Sequence, residues 1–331
     1  MRVTVLMTLH NKGPFVEEAV RSVLASTLTD LELLVVDDAS TDGGLDIVRG
    51  IHDPRIRILE SAVNTGRAAA ANRGLDAARG TFVAVLDADD LMHPERLERQ
   101  VAFLDEHPDV GICSTWMQEF GSSSILAKRP LEDDEIRAGS LFGVPLAYGA
   151  CMVRRSVLEE HGIRCDPDWR KPGMDHLFLV QVGKHARYAN IPAALTMYRI
   201  GAHNMAHGRD RVKDRFMMLK ETFRLLDIPV TDEQVGLHLI LANMHIVPPT
   251  SKRVRALAQW MGDLRAMNRR LGLFAPVPFE RDLEERWSQL FFRLADRSPG
   301  SAWTYMCMTN SWSLGRFRYL VRAMLRGPKR P

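Results

Sequence analysis

The chain has 331 residues, 46% hydrophobic and 26% charged, with a formal net charge of +3. That length predicts one large domain with an extension, or two domains. The apolar content excludes a disordered chain, and so small a charge gives no sign of a nucleic-acid partner.

VTVLMTL (3–9) is β-rich and predicts a first strand. Gly13-Pro14 opens a helix, in which Val16, Ala19, Val20, Val23 and Leu24 recur at helical spacing. LELLVVDD (31–38) is a second strand, and Ser40, Thr41 and Asp42 are placed to cap the next helix, Asp46 to Ile51. RIRILE (55–60) is a third strand. Asn64-Thr65-Gly66 turns into an Ala-rich helix, and FVAVL (82–86) is a fourth strand. This alternation predicts parallel strands with right-handed crossovers and ligands at their carboxyl ends. Thr8 to Asn11, Asp37-Asp38 and Asp87 to Asp90 fall at such ends.

Residues 108–205 mix strands and helices: a strand near 110–120, a Ser-rich connector, strand into helix at PLAYGACMVRRSVLEEHG, a Pro/Gly loop opening a helix at GMDHLFLVQVGK, and a closing strand at YANIPAALTMYRIG. Beyond Met205 the texture is helical. The expected domains are therefore 1–205, with halves 1–107 and 108–205, and a helical region 206–331. Cys113, Cys151, Cys165 and Cys307 have no C-x-x-C or zinc spacing and read as thiols of a reducing cytosol. The N-terminal apolar run is too short for a signal peptide, and no stretch reaches about 18 apolar residues. A cytoplasmic protein is expected, with association to the inner face of the membrane left open.

Asp90 reads as a turn residue or as the cap of a helix opened by Pro94. Asp87 and Asp89 ask for more. At i and i+2 of an extended segment both carboxylates would point into one small volume, and a hard divalent cation relieves such repulsion. Mg²⁺ or Mn²⁺ at such sites usually brings substrate phosphates. Asp37 and Asp38 can accept hydrogen bonds from a nucleobase or ribose, or form a simple turn. No G-x-G-x-x-G and no P-loop pattern occurs, which removes most of the weight from those nucleotide folds.

Five segments in order resemble family 2 glycosyltransferases, the inverting nucleotide-sugar enzymes of GT-A fold. They are VTVLMTLHNKGPFVEEAVRSVLASTLTDLELLVVDDASTD, NTGRAAAANRGLDAARGTFVAVLDADDLMHPERL, GACMVRRSVLEEHG, GMDHLFLVQVGK and YANIPAALTMYRIGAHNMA, covering roughly residues 1–205. The resemblance implies a mixed α/β, Rossmann-like sheet flanked by helices, and transfer of a sugar from a nucleoside-diphosphate donor, most often a UDP-sugar, to a hydroxyl acceptor in glycan assembly. It places Thr8, His10, Asn11, Asp38 and Asp87 at the nucleotide, Asp89 at Mn²⁺ or Mg²⁺, and Asp175 as general base; Arg67, a helical turn before Ala71, can reach the same diphosphate, and His203 is expected at the metal or the phosphate. Met174 departs from the Glu that usually precedes the base, Ala71 from an Arg, and Gly201 from a His that here stands at His203. A nucleotidyltransferase and a non-catalytic nucleotide-binding scaffold are the alternatives.

GRFRYLVRAMLRGPKRP (315–331) carries six Lys/Arg and no acid, with Phe317, Leu320, Val321, Met324 and Leu325 at helical spacing. Such a helix can lie on an anionic membrane, pack on its own domain, or serve a homodimer. A lipid-linked acceptor would suit the first.

Overall fold

The computed structural model describes residues 1–144, 146–201, 210–243, 251–309 and 312–326. It divides into two compact units: Met1–Ile136 with Val144–Gly208, and Arg137–Gly143 with Arg209–Pro331.

The first half of the first unit runs β1 (Val3–Leu9), α1 (Gly13–Leu24), β2 (Leu31–Asp37), α2 (Gly44–Arg49), β3 (Ile56–Leu59), α3 (Arg67–Ala77), β4 (Phe82–Val85), β5 (Leu91–Met92) and α4 (Arg96–Glu106). There follow β6 (Val110–Gly121), β7 (Leu126–Ala127), α5 (Asp133–Ser140), a 3-10 turn at Tyr148–Ala150, β8 (Met152–Arg154), α6 (Arg155–Glu160), α7 (Met174–Gly183) and β9 (Arg187–Ile200). The strands form one mixed sheet in the order β3-β2-β1-β4-β8-β6-β9-β5, with β7 on β6. Strands β3, β2, β1 and β4 are parallel, and β8 enters antiparallel to both β4 and β6.

Both faces of the parallel part are covered, which is why β2 is apolar from Leu33 to Val36. Val3, Val5 and Met7 of β1 join Val16, Val20, Val48, Leu97 and Val101 of α1, α2 and α4. Leu6, between them in sequence, joins Ala68, Ala71 and Leu75 of α3 and Phe178 of α7 on the other face. Ala71, where an arginine was the family expectation, is thus a core residue.

Three local expectations are corrected. β4 ends at Val85, and residues 87–90 form a turn closed by the Asp90 N–H donating to the Asp87 carbonyl (3.0 Å). Helix α2 is entered through Gly43 at φ 79° with no side-chain cap. Asp42 instead accepts from Gly44 N–H (3.0 Å) and from Gly13 N–H (2.7 Å), joining the starts of α1 and α2. Helix α4 begins at Arg96, so Asp90 caps no helix.

The second unit is helical: α8 (Arg211–Leu225), α9 (Asp232–Ala242), α10 (Ser251–Leu271), α11 (Pro276–Arg297), α12 (Pro299–Thr309) and α13 (Leu314–Arg326). Its core closes around His238, stacked on Phe142 at 4.6 Å and edge-on to Phe223 and Trp260. The His238 Nε2–H donates to the Leu141 carbonyl (2.9 Å), and Nδ1 accepts from Trp260 Nε1 (3.4 Å). Burial pushes this imidazole down to about 3, so it is neutral. Among the described residues no helix is long and apolar enough to cross a membrane.

Candidate active site

A cavity of about 400 Å³ opens at the carboxyl ends of β1, β2 and β4. Parallel strands deliver their following loops to this one edge, so residues far apart in sequence share its wall. Thr8 and His10 come from the end of β1, Asp38 from the end of β2, Arg67 from the first turn of α3, and Asp87 and Asp89 from the turn after β4.

Asp38 is buried and holds a loop. One carboxylate oxygen accepts from Thr65 N–H (2.7 Å) and Thr65 Oγ1 (2.8 Å), the other from Gly66 N–H (2.8 Å). Gly66 has φ 90°, a conformation that side chains rarely adopt, which is why a glycine stands between Asp38 and the start of α3. The exposed ring of His10 is fixed on the same loop: Nδ1 donates to the Asp38 carbonyl (2.8 Å) and Nε2 accepts from Asn64 Nδ2 (3.0 Å). Asn11 does not line the cavity. At φ 52° it turns its Oδ1 to the Thr41 N–H (2.8 Å), organising the loop after β2.

The acids sit among cations. Arg67 Nη2 donates to Asp87 Oδ1 (2.9 Å), with its guanidinium 5.6 Å from the Tyr148 ring centre. Lys12 Nζ lies 2.6 Å from Asp89 Oδ2. The charges of Asp87 and then of Asp175 push Arg67 upward, so it stays a cation despite burial. Burial raises Asp87; Arg67 opposes this, while Asp89 and Asp175 add to it, and the net direction is up. Asp90 is 1% exposed and is pushed up to about 8, by burial first and then by Asp87. Its Oδ1 accepts from the Arg199 N–H (2.9 Å), and its Oδ2 is buried with no hydrogen-bond partner. A Cβ built on Gly149 would lie 3.4 Å from Asp87 Oδ2 and 3.6 Å from Asp90 Oδ2, so both carboxylates converge on that bare Cα.

Asp87 and Asp89 therefore do share one cavity, through a turn rather than strand alternation. Among the described residues no group of three or more His, Cys, Asp or Glu is placed to hold a metal ion. The set fits a hard cation of the kind that takes one or two carboxylates and completes its shell with phosphate oxygens and water. Asp89 is the primary donor in that case, with Asp87 beside it, and Lys12 would have to leave. His203 lies outside the described residues.

Asp175 is in the first turn of α7, entered through Gly173 at φ 102°, and its Oδ1 accepts from the His176 N–H (2.9 Å). It is not part of the cavity lining, yet its charge acts on both Arg67 and Asp87. Met174 lines the cavity, His176 is fully buried, and Asp166 and Asp168 are exposed on the preceding loop. Sequence reasoning missed the rest of that loop: Trp169, Arg170, Lys171 and Pro172 also line the cavity, as does Tyr198 of β9. The compact WRKP string, aromatic and basic just before a helix, was the available signal.

Comparison with known proteins bears on the same region. The profile of the family described as Glycosyl transferase family 2 matches residues 4–162. The chain is 29% identical over 238 residues to the Bacillus subtilis protein named "Putative glycosyltransferase EpsE", covering 70% of this chain and 85% of that one. It is 39% identical over 103 residues to the succinoglycan biosynthesis protein ExoO of Rhizobium meliloti, 31% of this chain and 30% of that one. A Haemophilus influenzae glycosyltransferase is 28% identical, with 60% and 65% covered, so the chain spans less than two thirds of some of these relatives. In fold it is similar to S. aureus TarS 1-349, solved with UDP-GlcNAc: TM-score 0.63, 16% identity, 100% of this chain and 93% of that one. It is also similar to the mannosyltransferase PcManGT from Pyrobaculum calidifontis, solved with GDP-Man and Mn²⁺: TM-score 0.52, 19% identity, 98% and 80% covered. The architecture is that of GT-A glycosyltransferases: a mixed sheet flanked by helices, with a helical C-terminal part.

Proposed function

We propose, from the match of residues 4–162 to the family described as Glycosyl transferase family 2, that the chain transfers a sugar, with inversion, from a nucleoside-diphosphate donor to an acceptor hydroxyl in glycan assembly. The observation that carries this reading is the convergence of Asp38, Arg67, Asp87 and Asp89 on one cavity, with Asp175 close enough for its charge to reach two of them. The cavity suits a nucleotide. Thr8, His10 and the Asp38 loop take the base side, UDP being the favoured donor nucleotide, and Asp87 takes the ribose side. Asn11 acts through the loop it anchors.

Asp175 receives the proton of the acceptor hydroxyl as that oxygen attacks the anomeric carbon opposite the leaving diphosphate, so one displacement inverts the configuration. Asp89 would hold Mn²⁺ or Mg²⁺, which supplies Lewis-acid stabilisation of the leaving diphosphate when bound. Arg67 orients Asp87 and adds fixed positive charge to the same region. Donor and acceptor meet in the cytoplasm.

A second reading of the charge balance rests on Lys12, Arg67, Arg170 and Lys171, four basic side chains at one cavity. They can neutralise a diphosphate themselves. Transfer that persists in chelator favours them; transfer lost in chelator and restored by Mn²⁺ favours the cation. A thermal-shift screen of nucleoside diphosphates, with and without Mn²⁺, reports the base through stabilisation by mass action. Donor hydrolysis by the wild type that is unchanged in Asp89→Ala would overturn the site assignment.

A further inference from the structure

Helix α13 is apolar on two sides. Leu320 and Ala323 are buried and Tyr319 half-buried on the side that packs against α11, where the Tyr319 hydroxyl donates to Asp296 Oδ1 (2.9 Å) and the Arg316 guanidinium lies 5.5 Å from the Phe291 ring centre. Leu314, Phe317, Val321, Met324 and Leu325 lie elsewhere. At about 100° per residue they fall within an arc of roughly 100° turned away from that packed side. All five are exposed, Leu325 by 83%. Helix α12 adds Trp303, 46% exposed, whose ring meets the equally exposed Trp312 edge-on at 5.1 Å. Contiguous apolar surface of this kind, on helices that already have a packed face, marks an interaction site.

Its charge points to the partner. Arg318 and Arg322 follow on one shoulder of the arc, both exposed and with no acidic partner among the described residues. From Arg297 to Pro331 the sequence holds seven Lys/Arg and no Asp or Glu. A second copy on this face would bring the same positive charge against itself, whereas an anionic lipid surface complements it. Indoles, moreover, favour the boundary between headgroups and acyl chains.

We propose that the outward face of α12 and α13 docks on an anionic membrane surface: the apolar arc and the indole pair enter the interface, and Arg318 and Arg322 meet lipid phosphates. This goes beyond the transfer reaction and does not depend on it. The full chain is floated with phosphatidylcholine vesicles, with and without phosphatidylglycerol, without donor or acceptor. Binding is expected only with the anionic lipid, falling with added salt, with a blue shift in tryptophan emission. The double variants Arg318→Glu/Arg322→Glu and Phe317→Glu/Leu325→Glu, all at exposed positions, should each lower partitioning about tenfold or more. Failure to bind the anionic vesicles, or variants that bind as well as wild type, would overturn the proposal. So would a dimer in sedimentation that Phe317→Glu/Leu325→Glu dissolves while vesicle binding is absent. Because no donor is present, failure here leaves the glycosyl-transfer reading intact, and loss of transfer leaves this one intact.

Discussion

Arg96 and Arg67 serve opposite faces of the same sheet and are treated in opposite ways. Arg96 is 0% exposed and, among the described residues, has no carboxylate in hydrogen-bond contact. It donates to the carbonyls of Gly149 (3.0 Å), Val85 (2.9 Å) and Cys151 (3.1 Å) and to Gln100 Oε1 (3.0 Å). Burial draws its pKa down to about 10, but the carbonyls leave its donors satisfied, and it bolts β4, β8 and the 3-10 turn together. Arg67 has one carboxylate contact and a surplus of charge around it. The difference separates a polar group that finishes the fold from one that the fold leaves with unspent field at a cavity.

The comparison can be broken first at the chemistry. Asp175→Asn should lower transfer about 10³-fold while thermal shifts with nucleoside diphosphate stay within a degree of wild type; loss of both together would make Asp175 a structural acid. Arg96→Met is expected to do the reverse. It strands buried carbonyls and should cost about 3–5 kcal/mol in urea unfolding, and a smaller cost than about 1 kcal/mol would remove the bolt.

His238 belongs with Arg96, as a buried polar group satisfied on both nitrogens, and pH exposes it. Its folded pKa lies below the unfolded value of 6.5, so the unfolded chain binds the extra proton between those values. Stability is fully present above pH 6.5 and should fall by about 1.4 kcal/mol per pH unit on acidification below it. Urea titrations at pH 7.0, 5.5 and 4.5 would show the slope, and His238→Gln should flatten it. The smallest effect concerns the cavity: Lys12→Met removes the cation beside Asp89 and should lower the Mn²⁺ concentration for half-maximal stabilisation about tenfold. An unchanged value would show that Lys12 does not compete for that carboxylate.

The strand–helix alternation through β4 was legible because burial on both faces leaves the strands mostly apolar, the few polar residues inside them, such as Thr4, Glu32 and Arg57, being paired with one another, and the Asp-x-Asp position followed from where the apolar run stopped. The geometry of those acids was not. Sequence alternation extends a strand until something breaks it, and what breaks β4 is the Asp87–Asp90 turn, fixed by a hydrogen bond from β9. The two-residue strand β5 has no pattern of its own, since its pairing is supplied by Met197 and Thr196. The apolar spacing of the last helix was legible, but not its division into a packed and an outward side, which depends on what α11 offers it. Likewise Asp42 carried the signature of a cap, yet its carboxylate serves two helices at once.

Arg199 sets when the site can form. Its N–H holds Asp90, its Nε donates to the Asp89 carbonyl (2.8 Å), its Nη2 reaches Glu18 (2.7 Å), and its guanidinium lies between the rings of Phe15 and Phe120. The acid turn is thereby held by a residue 109 positions further along the chain than Asp90. During synthesis, the parallel strands β1 to β4 can pair long before that residue leaves the ribosome, but the carboxylates cannot take their final places until it does. Assembly of the cavity end is therefore a late event, and a nascent chain stopped short of β9 carries nearly all of the parallel strands with the acids after β4 still unarranged.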